Sequence, residues 1–167
     1  NDDDDDPLEL VSDTESSSYE GSSSSSSSSG SRKKEKYKVA EEVKVGQIPK
    51  TAQFRAWDNT LAINANAASG RPDDKALIWF MKAHDLDRPD AYFRDSGKKF
   101  GLLDRRLGSA LQRISHGQLG MRITREAEKA LKAGRVIRGR EVYRIIRRHF
   151  QSSSTGDVVY NLTDLQK

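Results

Sequence analysis

The sequence predicts an all-α protein, a bundle of about five to six helices preceded by a disordered N-terminal tail. From residue 49 onward, apolar residues recur every three or four positions, which is the spacing of one face of an α-helix. No β-hairpin turn signal occurs in that part of the chain. Residues 1–31 contain nine of the 25 acidic residues and no Lys or Arg; the rest has 29 Lys and Arg against 16 acids, a net charge of +13. The sequence therefore separates into an acidic part and a basic helical part.

Residues 1–31 are predicted to be a disordered tail. Asp2–Asp6 repel one another, and Ser22–Ser29 is an unbroken serine run, so this segment buries too little apolar surface to offset chain entropy. A basic linker follows over residues 32–48 and begins with Arg32, Lys33 and Lys34. Two interpretations of this linker stay open. It is either a localisation signal or RNA-touching arm, or a solvated connection whose lysines pair loosely with the acidic tail.

The helical domain is predicted over residues 49–167. Its first helix begins at Thr51, a suitable N-cap, and ends before Gly70. Its apolar face consists of Phe54, Trp57, Leu61, Ala65 and Ala68. The pair Asp73–Asp74 is expected to open the second helix, because negative charge suits the exposed N–H groups of a helix N-terminus. Leu77–Met81 is apolar on nearly every side, so we expect the second helix to be central in the core.

Four further helices are predicted, with the approximate limits Leu103–Ile114, Leu119–Leu131, Arg140–Gln151 and Asp157–Lys167. Before them, residues 87–97 are interpreted as a loop with one turn near its centre. Breaks are expected near His116–Gly117 and at Gly134, and Ser152–Gly156 is interpreted as a turn. The predicted core consists of Phe54, Trp57, Leu61, Leu77, Trp79, Phe80, Leu107, Leu111, Ile114, Ile123, Ile145, Ile146 and Phe150.

The sequence offers no set of residues suited to catalysis or to metal binding. It has no cysteine, which excludes disulfides, thiolate nucleophiles and Cys-type zinc sites. His116 and His149 have no His, Cys or carboxylate at i+3 or i+4, the spacing of a helical metal site, and Asp87, three residues after His84, lies in the predicted loop 87–97. No apolar run reaches the roughly 18 residues that span a bilayer. We therefore expect no enzyme activity, no metal or cofactor, no small-molecule substrate and no membrane partner.

The predicted fifth helix and the loop before it contain a cluster of arginines: Arg135, Arg138, Arg140, Arg144, Arg147 and Arg148. The last four recur at i, i+4, i+7 and i+8 and so share one face. The opposite face, which we expect to point to the core, carries Val142, Ile145, Ile146 and His149. Because guanidinium groups bind phosphates well, the cluster predicts sequence-independent contacts with RNA, supplemented by Arg32, Lys33 and Lys34. The other interpretation is a solvated face that keeps the domain soluble.

Five short strings stand out along the domain: Pro49–Trp57, Ala67–Pro72, Leu103–Leu107, Ile114–Gly117 and Gly139–Val142. Together they resemble the gag-polypeptide region of copia-type LTR retrotransposon polyproteins, especially those of algal (dinoflagellate-type) genomes. The similarity covers roughly residues 47–167. The zinc knuckle that often follows such a region is absent from this sequence, because the chain has no cysteine.

The resemblance implies a capsid-like helical domain without catalytic residues, whose copies self-associate into a particle around RNA. It implies a place in cytoplasmic particles or in the nucleus. The first residue is Asn1 and the last lies in an apolar repeat, so we expect a fragment of a longer protein, with a C-terminally truncated capsid-like domain. The residues alone are equally compatible with a cellular helical adaptor that binds nucleic acid or an acidic protein partner.

Overall fold

A computed structural model describes the backbone of residues 36–164 and the side chains of residues 36–153. This part of the chain forms five α-helices and three short 3-10 helices, with no strand, which confirms the predicted all-α class. The α-helices are α1 (Phe54–Ala68), α2 (Lys75–Met81), α3 (Gly97–Ile114), α4 (Gly117–Lys132) and α5 (Gly139–Asp164). The 3-10 helices are Thr51–Gln53, Lys82–His84 and Asp90–Arg94. The predicted disordered tail, 1–31, lies outside the described residues, as do Arg32, Lys33 and Lys34.

Local signals located the ends of several helices. α1 ends before Gly70, which has a φ of 67°. A Cβ atom at this position would lie 2.2 Å from the backbone oxygen of Lys38, so a glycine is required there for two independent reasons. α4 likewise ends just before Gly134, which has a φ of 73°. The predicted ends of the first and fourth helices are confirmed.

α5 is the central helix of the bundle and packs against α3, α4 and the 3-10 helices. Its N-terminus lies very close to α3, since a Cβ on Gly139 would be 2.5 Å from the backbone oxygen of Asp104. The buried side chains of α5 point in several directions around the helix: Arg140, Val142, Tyr143, Arg144, Ile145, Ile146 and Phe150. The prediction that α5 has one apolar face and one solvated arginine face is therefore wrong.

α5 also continues through Ser152–Gly156, where the sequence predicted a turn before a separate last helix. The Oγ atoms of Ser152 and Ser153 donate hydrogen bonds to the backbone oxygen of His149, at 2.9 and 3.0 Å. Serine hydroxyls bonded back to the preceding helical turn are satisfied without leaving the helix. The predicted turn and the separate sixth helix are wrong.

The described part of the predicted linker, residues 36–48, packs along the bundle as an N-terminal arm. The backbone N–H of Ala40 donates to the oxygen of Ala68 at 2.8 Å, and the indole Nε1 of Trp57 donates to the oxygen of Val45 at 2.8 Å. Val43 is 1 % exposed and belongs to the hydrophobic core. The folded domain thus includes this arm. The predicted domain start at residue 49 is therefore wrong, as is the interpretation of residues 36–48 as a solvated linker.

Most of the predicted core is buried, and the exceptions lie in α1 and α2. Phe54, Trp57 and Leu77 are only half-buried against the core. Ile78 is 61 % exposed and Met81 is 42 % exposed, so α2 lies at the edge of the core and its predicted central position is wrong. Val43, Phe93 and Tyr143 are fully buried residues that the predicted core did not include.

Candidate nucleic-acid interface

The arginine cluster predicted to bind RNA is largely internal. Arg140 is 2 % exposed and Arg144 is 1 % exposed, and both are among the buried charged residues of the described chain. A guanidinium that is out of contact with solvent cannot reach the phosphates of RNA without unfolding its surroundings. The prediction that these two residues form a solvent-facing phosphate site is therefore wrong, and the reason is visible in their partners.

Arg140 joins the start of α5 to α2 and to the segment before α3. Its Nη1 donates to the oxygen of Trp79 at 3.2 Å and its Nη2 to the oxygen of Asp95 at 2.9 Å. The guanidinium lies 4.4 Å from the centre of the Trp79 ring. Its backbone N–H donates to Oδ1 of Asp104. Burial raises the pKa of the Asp104 carboxyl, although hydrogen bonds from Ser96 and from the Arg140 backbone act to lower it.

Arg144 holds the segment between α2 and α3 against α5. It donates to the backbone oxygens of Asp85 and Arg88, both at 2.6 Å, and its Nε lies 3.0 Å from Oδ1 of Asp90. Arg148 donates two further hydrogen bonds to the carboxylate of Asp90, at 2.9 and 3.0 Å. The hydrogen bonds from Arg148 and Arg144 outweigh desolvation and lower the pKa of Asp90.

The side chains of Arg147 and Arg135 also have carboxylate partners, and Arg138 has a partner through its backbone. Arg147 donates to Oδ2 of Asp58 at 2.9 Å. Arg135 donates two hydrogen bonds to the carboxylate of Glu141, at 2.8 and 3.0 Å. The backbone N–H of Arg138 donates to the same carboxylate at 2.8 Å, so Glu141 caps the first turn of α5. The arginine cluster is mainly a set of links between elements.

A different cationic surface lies on α4. Arg122, Arg125, Lys129 and Lys132 are all exposed, and their spacing of three, four and three residues places them on one side of the helix. The same helix has two acidic residues, Glu126 and Glu128, and Glu126 forms an ion pair with Lys129 at 2.7 Å. We call Arg122, Arg125, Lys129 and Lys132 the α4 cationic face.

A groove of about 370 Å³ adjoins this face, between α4, the 3-10 helix Asp90–Arg94 and α5. Its charged lining residues are Arg94, Arg122, Lys129, Arg135, Arg148, Asp90, Glu126 and Glu141. Three of the cations are paired with the three carboxylates. Arg94 and Arg122 have no carboxylate partner among the described residues, and both are exposed. The groove therefore has an excess of two positive charges and suits an anion.

Sequence reasoning missed the α4 cationic face, although a signal for it was present. The four cations are interspersed along the helix with the buried residues Leu119, Ile123 and Ala130. This is the pattern of an amphipathic helix with a basic outer side. The closely spaced arginines of α5 led to the prediction of an interface there. Close spacing of charged residues in the sequence does not indicate whether they are exposed, whereas their position relative to the buried residues of a helix does.

The described residues contain no group of three or more His, Asp or Glu side chains placed to hold a metal ion. None of their helices is both long and apolar enough to cross a membrane.

No known family model matches the chain, and no curated protein or solved structure matches it either. The resemblance to gag polypeptides stays a prediction.

Proposed function

We propose that the protein is a non-enzymatic, Gag-like structural protein that binds RNA through the α4 cationic face and the adjoining groove. The observation that carries the proposal is exposed positive charge without protein partners. Arg122, Arg125 and Lys132 project into solvent and have no carboxylate partner among the described residues. Phosphate groups would supply the missing negative charge, with release of the counterions condensed on the nucleic acid.

The contacts expected at this surface are with the phosphate backbone. Arg94 and Arg122 would hold a phosphate in the groove, because an arginine fork fits two phosphate oxygens. Arg125 and Lys132 would contact the next phosphates along α4. Phosphate contacts fix position without reading sequence, so we expect RNAs of equal length and different sequence to bind alike.

The test is a pair of double charge reversals with the same change in net charge. R122E/R125E alters the α4 cationic face, while K75E/K82E alters two exposed lysines of the α2 region that lie outside that face. Binding to a fluorescent single-stranded RNA is measured by anisotropy over a series of salt concentrations. We expect R122E/R125E to bind more weakly and to lower the slope of log K against log salt by about 1.4, at about 0.7 for each phosphate contact.

K75E/K82E is expected to keep both the affinity and the slope near those of the unmutated protein. An equal loss in the two variants would mean that net charge alone governs binding, and the α4 assignment would then fail. Unchanged affinity in R122E/R125E would remove the proposed interface altogether. Circular dichroism of each variant verifies that the bundle is folded.

The Gag-like part of the proposal is self-association, in particles of the cytoplasm or in the nucleus. Large apolar side chains on α1, α2 and α4 are well exposed, Ile63 by 65 %, Ile78 by 61 % and Leu131 by 64 %, and could be covered between copies. Sedimentation velocity over a concentration series, with and without RNA, tests this. We expect the mass to rise with concentration and more steeply with RNA. A monomer at every concentration in both conditions would contradict the Gag-like assignment.

A further inference from the structure

A second cavity, of about 470 Å³, lies between the N-terminal half of α1, the end of α2 with its following 3-10 helix, and the middle of α5. Its volume falls within the range of roughly 300–1,000 Å³ typical of small-molecule sites. None of its lining residues belongs to the α4 cationic face. Phe54 and Arg55 line it from α1, Met81 from α2, and Arg147 from α5.

The floor of this cavity is a polar cluster around Asp58, which is 6 % exposed. The hydroxyl of Tyr143 donates to Oδ1 of Asp58 at 2.6 Å, and Nη1 of Arg147 donates to Oδ2 at 2.9 Å. Nε2 of His84 lies 3.4 Å from Oδ1. Burial raises the pKa of Asp58, but the hydrogen bonds and positive charges around it outweigh burial and hold the pKa below its usual value. Asp58 is therefore ionised at neutral pH.

Positive charge exceeds negative charge in this cavity. Asp58 is its one carboxylate among the described lining residues, whereas Arg147 and Arg55 are both cations. Arg55 is exposed and has no carboxylate partner in the described chain. The Nε of Arg147 is buried and makes no hydrogen bond to the described protein, since the contacts to Asp58 and Tyr143 use Nη1. This donor faces the cavity without an acceptor among the described residues, so it is available to an acceptor that enters the cavity.

The other walls of the cavity are apolar. Phe54 stacks on Phe150 with ring centres 4.5 Å apart, and both rings line the space. Met81 completes this side and is 42 % exposed, so its side chain is accessible from the cavity. The cavity thus combines an excess cation with an aromatic and thioether wall.

We propose that this cavity binds a small organic anion. Its carboxylate or phosphate group is held by Arg147 and Arg55, and its apolar body lies against Phe54, Met81 and Phe150. Asp58 positions the guanidinium of Arg147 and is not itself a ligand for the anion. This site stands independently of RNA binding on α4, because the two surfaces share no residue.

The first experiment compares matched probes by NMR on the full chain. Phenylacetate and phenyl phosphate are the anionic probes, and phenylacetamide is the uncharged probe of the same shape. Each is added up to about 10 mM, where even a millimolar Kd leaves the site mostly filled. We expect the two anions to shift the side-chain Nε–Hε signal of Arg147 saturably and phenylacetamide to leave it unchanged.

The second experiment places a carboxylate in the cavity without touching the polar floor. Met81→Glu should weaken anion binding about tenfold or more, because like charges brought together at a binding site cost several-fold to many-fold in affinity. Ile78→Glu is the matched control, since Ile78 lies one turn earlier on α2, is exposed and does not line the cavity. Arg55→Ala, an exposed truncation, gives a further readout that does not depend on the folding of the Met81 variant.

The expected result is loss of anion binding in Met81→Glu, weaker binding in Arg55→Ala and unchanged binding in Ile78→Glu. Equal binding of phenylacetamide and phenylacetate would overturn the anion assignment. No saturable shift of the Arg147 signal, or the same affinity in Arg55→Ala as in the unmutated protein, would overturn the site. RNA affinity of the R122E/R125E variant has no bearing on these outcomes.

Discussion

The burial of a side chain by distant parts of the fold cannot be predicted from its neighbours in the sequence, as three arginines of α5 show: Arg140, Arg144 and Arg147. Their spacing predicted a shared helix face, but it could not show that other elements cover that face. The partners lie far along the chain, since Arg144 bonds to residues of the segment 85–90 and Arg147 bonds to Asp58. A guanidinium is buried at low cost only when nearly all its donors are matched, and this matching is a property of the tertiary structure.

Replacing Arg144 by Ala should lower the free energy of unfolding by about 2–5 kcal/mol, the range for truncating a large buried side chain. The loss arises because the substitution leaves a cavity and frees the backbone oxygens of Asp85 and Arg88. Urea unfolding followed by circular dichroism measures it. Arg105→Ala, at an exposed position of α3, is the control and should change stability by no more than about 0.5 kcal/mol. Similar stability of the two variants would contradict the assigned role of Arg144.

Asp58 should contribute to acid sensitivity in a defined direction. Because its pKa is lowered in the folded protein, its contribution to stability is present above the unfolded pKa of about 3.9 and is lost as the pH falls through the folded pKa. Asp58→Asn should therefore be less stable than the unmutated protein at pH 7, by about 3–5 kcal/mol for a broken buried pair. The difference should narrow as the pH falls below the unfolded pKa of about 3.9 and through the lowered folded pKa. A difference that stays constant as the protein is acidified would contradict the lowered pKa.

At the scale of elements, the sequence located helices where their stabilising features are local. Apolar spacing and a terminal glycine were sufficient for α1 and α4, whose predicted ends are confirmed. Besides the central position of α2, two predictions at this scale were wrong. The small polar residues 152–156 looked like a turn, yet they continue α5. The N-terminal arm has no periodicity of its own, and its conformation depends on distant contacts such as the bond from Trp57 to Val45.

The contact between α3 and α5 depends on a close backbone approach that Gly139 permits. Gly139→Ala would place a Cβ 2.5 Å from the oxygen of Asp104 and 2.7 Å from the nitrogen of Gly108. Such overpacking against backbone should destabilise the protein by about 1–3 kcal/mol. Gly101→Ala is the matched control in α3, with no atom within 4 Å of the added Cβ. It should stabilise the protein by about 0.5–1 kcal/mol, because alanine is the better helix former.

Thermal unfolding of the two glycine variants side by side gives the comparison. We expect Gly101→Ala to melt at a higher temperature than the unmutated protein and Gly139→Ala to melt at a lower one. If Gly139→Ala were as stable as Gly101→Ala, the close packing of α3 on α5 would be incorrect.

At the scale of the whole molecule, charge is distributed between two roles. Arginines of α5 connect the elements from within, whereas Arg122, Arg125 and Lys132 of α4 are exposed and have no carboxylate partner among the described residues. Composition predicted a basic helical domain and could not assign each cation to either role, because that depends on which carboxylates the fold brings near. The candidate RNA surface thus differs from the predicted one while the predicted fold class is confirmed.

The N-terminal arm should stabilise the entire domain, and two truncations test this. Removing residues 1–35 leaves the arm in place, whereas removing residues 1–48 also deletes Val43 and frees the indole N–H of Trp57. The longer truncation should cost at least about 1.5–3 kcal/mol in the free energy of unfolding, the contribution of burying one large aliphatic side chain. Chemical denaturation of both proteins measures the difference. Equal stability of the two proteins would place the start of the folded domain at residue 49. Val43→Ala in the protein that lacks only residues 1–35 is the control, and it should lose part of the same free energy of unfolding. This control separates the packing of the arm from an effect of chain length.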